Sequence, residues 1–164
     1  MRVFCPSPYW YASEGKSVLL NDYTPTFSFP VVYDNHTFGV SGGSAFVNVY
    51  NEGDADADME IVFSCDGEAT GYGIANVMTG NVLRFDDTIR AGETVTLKRE
   101  NGRVSAVKKA AGKADKNMLV GITDDSTLYT LASGDNVLRV MADAGEEVLR
   151  VAIHYNAAYM GVLV

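Results

Sequence analysis

Apolar and polar residues alternate along most of this chain. Met59, Ile61, Phe63 and Cys65 alternate with Asp58, Glu60, Val62 and Ser64. This is the period-2 pattern of a strand with one face toward a core and the other toward water. The same pattern sets Ala45, Val47 and Val49 against Phe46, Asn48 and Tyr50, and Val95 and Leu97 against Thr94, Thr96 and Lys98. It sets Leu149, Val151, Ile153 and Tyr155 against Val148, Arg150, Ala152 and His154. From Asn136 to Ala142 both parities are apolar except at Arg139, which predicts a more buried strand. Long helical periodicity is absent. The one helical candidate is short, Ala110–Asn117, and reads equally well as a loop.

Turn residues separate these runs at short intervals. Asn51-Glu52-Gly53-Asp54 is expected to join the first two strands as a hairpin. Asn101-Gly102 is a two-residue hairpin signal between Glu93–Glu100 and Arg103–Lys108. Ala144-Gly145-Glu146 separates the last two long strands. Many short strands with Gly-rich turns predict an all-β protein, a two-sheet antiparallel sandwich. Its core is expected to hold Val47, Val49, Met59, Ile61, Phe63, Val95, Leu97, Leu138, Val140, Leu149, Val151 and Ile153. All four prolines (Pro6, Pro8, Pro25 and Pro30) fall in the first 35 residues. Residues 1–35 therefore read as an extended lead-in packed on a sandwich of residues 36–164, one structural domain overall. No internal repeat is visible.

A chain of 164 residues is long enough to bury a core without a metal or a disulfide. Cys5 and Cys65 do not make a disulfide framework and are expected as thiols, as in a reducing compartment. No window approaches the ~18 apolar residues of a membrane-spanning helix, so no membrane insertion is expected. The Met1–Pro6 segment lacks the apolar stretch of a signal peptide, and Asn35-His36-Thr37 is then only a formal glycosylation sequon. The formal net charge of −8 makes nucleic acid a poor partner. Seven of the thirteen basic residues nevertheless lie between Lys98 and Lys116. That cluster reads as a solvated hairpin or as a docking patch for an acidic neighbour, with Lys108 and Lys109 as its candidate contacts. No aromatic residue interleaves it, so base stacking is not indicated.

The residues offer little for catalysis. Asp54-Ala55-Asp56-Ala57-Asp58 superficially resembles a calcium loop, but Met59 and Cys65 stand where an EF-hand needs Gly and Glu. No Cys-x-x-Cys or His-x-x-x-His pair occurs, so no metal or other cofactor is expected. Cys65 lies on the apolar parity of its strand, as an inert core thiol would. Asp86-Asp87 and Asp124-Asp125 look like turn residues. Gly67–Gly80 has four glycines but no Gly-Lys-Ser/Thr and no following helix, so it is not a phosphate loop. The expectation is a protein that is not an enzyme. Tyr9-Trp10-Tyr11, with the single tryptophan, is the candidate platform for a sugar ring or a cover for the core edge. His154-Tyr155-Asn156 begins a galectin-type sugar motif, but Ala158 stands where that motif needs Arg, and no Trp follows.

Several short words occur in a characteristic order. Cys5-Pro6-Ser7-Pro8-Tyr9 comes first, then Phe27-Ser28-Phe29-Pro30, then Val49-Tyr50-Asn51-Glu52-Gly53-Asp54. Gly67, Ala69, Asn76, Val77, Thr79 and Gly80 follow, then Ala91-Gly92-Glu93, Gly134-Asp135-Asn136 and Tyr159-Met160-Gly161-Val162. Over nearly its whole length the chain resembles the C-terminal portion of the distal tail proteins of siphovirus-type phages. The resemblance implies a galectin-like or jelly-roll-like β-sandwich in the baseplate hub of a phage or prophage tail. It implies a virion structural protein, made in the host cytoplasm, that docks other tail or baseplate proteins. It brings no catalytic residues with it. The alternative is a carbohydrate-binding module that recognises a host-surface glycan. Two departures from the family pattern matter. The N-terminal portion that builds the family's hexameric ring is absent, so a hexamer is expected only if such a portion exists, and this chain is expected as a monomer or weak dimer. Tyr72-Gly73 stands where relatives often carry Asn-Pro, which is expected to alter a turn and not the fold.

Overall fold

The computed structural model describes residues 9–20, 46–100 and 103–160. In chain order its strands are β1 (Tyr9–Tyr11), β2 (Lys16–Leu19), β3 (Phe46–Asn51), β4 (Met59–Cys65), β5 (Glu68–Thr70), β6 (Gly73–Asn76) and β7 (Val82–Arg84). Then follow β8 (Thr88–Arg90), β9 (Glu93–Glu100), β10 (Arg103–Ala110), β11 (Lys116–Asn117), β12 (Gly134–Met141), β13 (Leu149–Tyr155) and β14 (Ala158–Met160). The described residues contain no α-helix, only 3-10 turns at Leu119–Gly121 and Glu146–Val148. The segment Ala110–Asn117 is the end of β10, a turn and the short β11.

The protein is all-β, a sandwich of antiparallel sheets. One sheet has six strands in the order β11-β10-β9-β4-β13-β2, and the other has four in the order β3-β12-β6-β7. Two ribbons, β1–β14 and β5–β8, flank these sheets, and isolated bridges such as Ala57–Leu131 and Phe85–Ile122 add to the pairing. The alternation seen in the sequence is realised in β4, whose odd-numbered residues Met59 to Cys65 are buried while the even-numbered ones are half-exposed. One apolar cluster spans both sheets, with Ile61, Phe63, Val95, Val151 and Ile153 facing Val49, Ile74, Leu138 and Val140. Of the residues expected in the core, Val47 alone is only partly buried. Each fully buried Leu, Ile or Phe contributes about 1.5–3 kcal/mol of transfer free energy, so this cluster is the main source of stability. Cys65 is buried as a free thiol.

Three differences from the sequence-based expectation have physical reasons. Asn51-Glu52-Gly53-Asp54 is not a hairpin, because β3 lies in the four-stranded sheet and β4 in the six-stranded one. The chain crosses between sheets there, held by the buried Asn51 amide, which donates to Ala55 O (3.0 Å) and Leu131 O (3.1 Å) and accepts from Gly53 N–H (3.0 Å). Gly53 is required by close approach, since a Cβ on it would sit 2.3 Å from Ala158 O. Tyr72 is a core residue as well as part of a turn. It is fully buried, with its ring centroid 5.3 Å from Phe63 and 5.5 Å from Phe85. Finally, β12 is a central strand but is not enclosed on both faces. Asn136, Leu138 and Val140 point into the core, whereas Val137, Arg139 and Met141 are only half-buried on the outside.

The buried asparagines of the turn words serve the backbone. Asn136 donates to Ala132 O (2.8 Å), Gly134 O (3.1 Å) and Val49 O (3.3 Å), and its Oδ1 accepts from Ala132 N–H (3.0 Å). Asn76 Oδ1 accepts from Met78 N–H (3.0 Å) and Thr79 N–H (3.2 Å). A polar residue persists at each of these places because turn backbone groups taken out of water need partners.

Lys16–Leu19 of the expected lead-in pairs with β13 as the edge strand of the six-stranded sheet. Cys5 to Pro8, Phe27-Ser28-Phe29-Pro30, the Asn35-His36-Thr37 sequon, Ala45, Asn101-Gly102 and Gly161-Val162 lie outside the described residues. β9 and β10 do pair antiparallel up to Glu100 and Arg103, on either side of Asn101-Gly102.

Candidate functional site

The expected site residues fall at two separate places. Tyr9, Trp10 and Tyr11 form β1, paired antiparallel with β14 so that Trp10 lies opposite Tyr159. The ribbon is anchored to the sandwich by Met160 N–H donating to Asp54 Oδ1 (2.5 Å) and Ala12 N–H donating to Ala157 O (2.9 Å). All three aromatic residues are exposed, and Trp10 keeps 73% of its surface in water. Trp10 therefore does not cover the core edge. Beside the ribbon, Lys16 Nζ pairs with Glu52 Oε2 at 2.5 Å. The Lys16 hydrogen bond holds the Glu52 carboxyl below its ordinary pKa, with a smaller contribution from Tyr159.

Tyr11 also walls an open groove of about 610 Å³ on the outer face of the six-stranded sheet. Its floor is a cross-strand row in which Lys98 lies opposite Glu60, Glu60 opposite His154, and His154 opposite Ser17. Asn156 closes one end. The row exists because these residues occupy the outward parity of β9, β4, β13 and β2.

Lys108 and Lys109 sit on opposite faces of β10. Lys109 is exposed. The Lys108 side chain is only 11% exposed, and its ammonium donates to Asp87 Oδ2 (2.8 Å) and Thr88 O (2.5 Å). It also lies 3.0 Å from Glu93 Oε2. All three ammonium hydrogens thus have partners within the molecule. Burial alone lowers the Lys108 pKa, but the bonds from Asp87 and Glu93 outweigh it and hold the group above the ordinary lysine value. Lys116 and Lys113 stand further out, 3.6 Å from Asp87 and 3.9 Å from Glu93. Burial, together with the adjacent Asp87, pushes the Tyr72 phenol strongly upward, and its hydroxyl lies 3.5 Å from Asp87 Oδ2. These charges line a cavity of about 600 Å³ between β10 and the β5–β8 ribbon. Its charges are balanced, and the innermost ones are spent on each other.

Neither cavity is lined by both sets of expected residues. Sequence reasoning did not identify Asp87, Glu93 and Tyr72 as the surroundings of Lys108. The one available signal was parity, since Lys108 shares the inward parity of Ala106 on β10. Among the described residues no group of His, Cys, Asp and Glu is placed to hold a metal ion, and no helix is long and apolar enough to cross a membrane. The Asp54–Asp58 stretch keeps its aspartates exposed and its alanines buried. Asp54 and Asp56 bond to Met160 and Thr130.

No protein-family model and no curated protein sequence matches the chain. The fold is similar to that of the SPP1 Dit (gp 19.1) protein, whose crystal structure is described as a paradigm of the hub adsorption apparatus in phages infecting Gram-positive hosts. The TM-score is 0.64 over 94% of this chain, at 13% sequence identity. The chain spans 50% of the length of that structure. At this identity the likeness establishes the fold.

Proposed function

We propose that this chain is a structural part of a phage or prophage tail, a distal-tail or baseplate-hub domain that docks other tail proteins. The observation that carries the reading is the sandwich shared with the SPP1 Dit protein over 94% of the chain, reached independently of the ordered sequence words. The site chemistry supports a docking role over a catalytic one. The titratable groups with shifted pKa values that cluster at Lys108 are engaged with each other, and the cavity of about 600 Å³ beside them is walled by balanced charges. The reading places the protein in the virion tail, with protein partners and no nucleic acid. It assigns the chain no catalysis and no cofactor. A hexamer belongs to it only together with a ring-forming N-terminal portion, and the lead-in and sandwich of residues 1–35 and 36–164 act in it as one unit.

The test is location. Antibody against the chain, applied to tailed particles from a lysate of the organism carrying the gene, is expected to label the tail tip. Purified protein is expected to form a complex with the product of a neighbouring tail gene. Protein found free of every tailed particle would overturn the reading. Lys109 is the basic residue of the expected pair that can meet an acidic partner directly, so Lys109→Glu is expected to slow that association.

A second reading, recognition of a host-surface glycan, is favoured by one observation, the exposure of Trp10 between Tyr9 and Tyr11. Saturable binding on a glycan array, lost in Trp10→Ala with the melting temperature unchanged, would promote it. An array without signal would remove it.

A further inference from the structure

The outer face of the four-stranded sheet, like the β1–β14 ribbon, exposes large apolar side chains. Phe46 is 62% exposed, Tyr50 58% and Val77 50%, and these three flank the outward parity of β12, with Met78 (62%) in the turn after β6. Val137 and Met141 continue the apolar surface along that strand. A contiguous patch of this kind, in contrast to scattered exposed residues, marks a binding surface.

Three charged residues share that face: Asp135 and Arg139 on β12, with Val137 midway between them, and Arg84 at the end of β7, paired with Asp143. Among the described residues the Arg139 Nε is buried without a hydrogen-bond partner. Asp135 is exposed and accepts from Asn48 Nδ2 at 2.6 Å. The neighbouring edge strand repeats the arrangement with aromatic residues, since Phe46 lies opposite Arg139, Asn48 opposite Val137 and Tyr50 opposite Asp135.

This pattern is complementary to itself. A twofold axis through Val137, lying between two such faces and running across the strands, sets β12 antiparallel on β12 of a second copy. Arg139 then meets Asp135 of the second copy twice over, Val137 meets Val137, and Phe46 meets Tyr50. A twofold interface requires such reciprocity. Stacked sheets cross at about 30°, which leaves these central rows in register.

We propose that the outer face of the β3-β12-β6-β7 sheet is a self-association surface, on which a second copy of this chain docks through reciprocal Arg139–Asp135 pairs and Phe46–Tyr50 contacts. Strands of six, eight, four and three residues, at about 3.3 Å per residue and about 4.8 Å spacing, present roughly 330 Å² of plane. That is less than half of the ~800 Å² per partner of a standard stable interface, so the dimer is weak and reversible. The proposal does not depend on the tail reading.

Sedimentation equilibrium of the full chain, from a few to several hundred micromolar, tests it. A concentration-dependent dimer is expected. Arg139→Asp and Asp135→Arg, each alone, place like charges together and are expected to weaken association at least tenfold. The double variant carrying both changes is expected to recover it. An equimolar mixture of the two single variants is expected to recover it as well, as a heterodimer. Phe46→Asp is expected to weaken the dimer without rescue by either charge change. A wild-type chain that stays monomeric throughout would overturn the proposal. So would a dimer indifferent to all three single changes, or one whose loss is rescued neither by the double variant nor by mixing. Because mixing rescues association with the same two polypeptides, misfolding of a variant cannot imitate the expected result.

Discussion

The two sheets of this sandwich share one core and differ on their outer faces. Across the six-stranded sheet the outward residues include Lys98, Glu60, His154 and Ser17 in one row, and Thr94, Ser64 and Arg150 in another. Between these rows lies a less polar one, Thr96, Val62 and Ala152, ending at Leu19. Across the four-stranded sheet the outward residues include Phe46, Asn48 and Tyr50 on β3, Asp135, Val137 and Arg139 on β12, Ala75 and then Val77 along β6, and Val82 and Arg84 on β7. Inward positions look alike in both sheets because both meet the same apolar interior. Outward positions differ because an apolar outward parity is favourable only where something other than water meets it. A strand that is apolar at both parities thus need not be enclosed in its own subunit.

The shared core should show the largest effect. Ile61→Ala in the six-stranded sheet and Leu138→Ala in the four-stranded sheet should each cost about 2–5 kcal/mol in denaturant unfolding, since both side chains are fully buried. Comparable losses are expected in a single transition. Two separate transitions would show that the sheets do not share one cooperative core.

Next comes the inner face at its β10 end, where ions replace the apolar contacts. Lys108→Met leaves Asp87 and Glu93 close together without their common cation, and should cost on the order of 3 kcal/mol. Lys109→Met, one residue along on the outer face, should stay within about 0.5 kcal/mol. Equal effects at the two positions would contradict the assignment of Lys108 to the interior.

The same cluster produces a pH dependence. Glu93 is held below its ordinary pKa of 4.5, chiefly by the hydrogen bond from Lys108, against burial, and then by the Arg90 backbone N–H. A carboxyl whose folded pKa is depressed stabilises the fold fully above its unfolded pKa, and that contribution fades as pH falls through the lower folded value. Melting temperature should therefore fall on acidification below about pH 4.5. The fall should be shallower in Lys108→Met, and an unchanged slope in that variant would remove Lys108 as the cause.

The smallest effects belong to the outer face of the six-stranded sheet. Glu60→Ala there should change stability by less than about 0.5 kcal/mol and leave self-association untouched. A loss of dimer from that change would place the self-association surface on the wrong sheet.

Much of the fold was legible in the residues alone. The positions of the long strands and inward residues such as Ile61 and Val151 follow from a period of two, because each such strand carries its own record of which side faces the interior. That record does not say which strands share a sheet. Asn51–Asp54 has turn chemistry suited to a hairpin, yet it carries the chain from one sheet to the other, since Asn51 finds its partners at Ala55 and Leu131. Nor does it say what a lone inward lysine will meet. Lys108 reaches Asp87, 21 residues away, and Arg84 reaches Asp143, 59 residues away. The sequence by itself determined the long strands and which of their sides faces the core, because those depend on the nearest neighbours along the chain. Only the tertiary structure decided the pairing of the strands, the burial of Lys108 and Tyr72, and the exposure of the second apolar parity of β12. Each of those depends on which distant segment arrives opposite, and backbone hydrogen bonds alone are nearly indifferent to that choice.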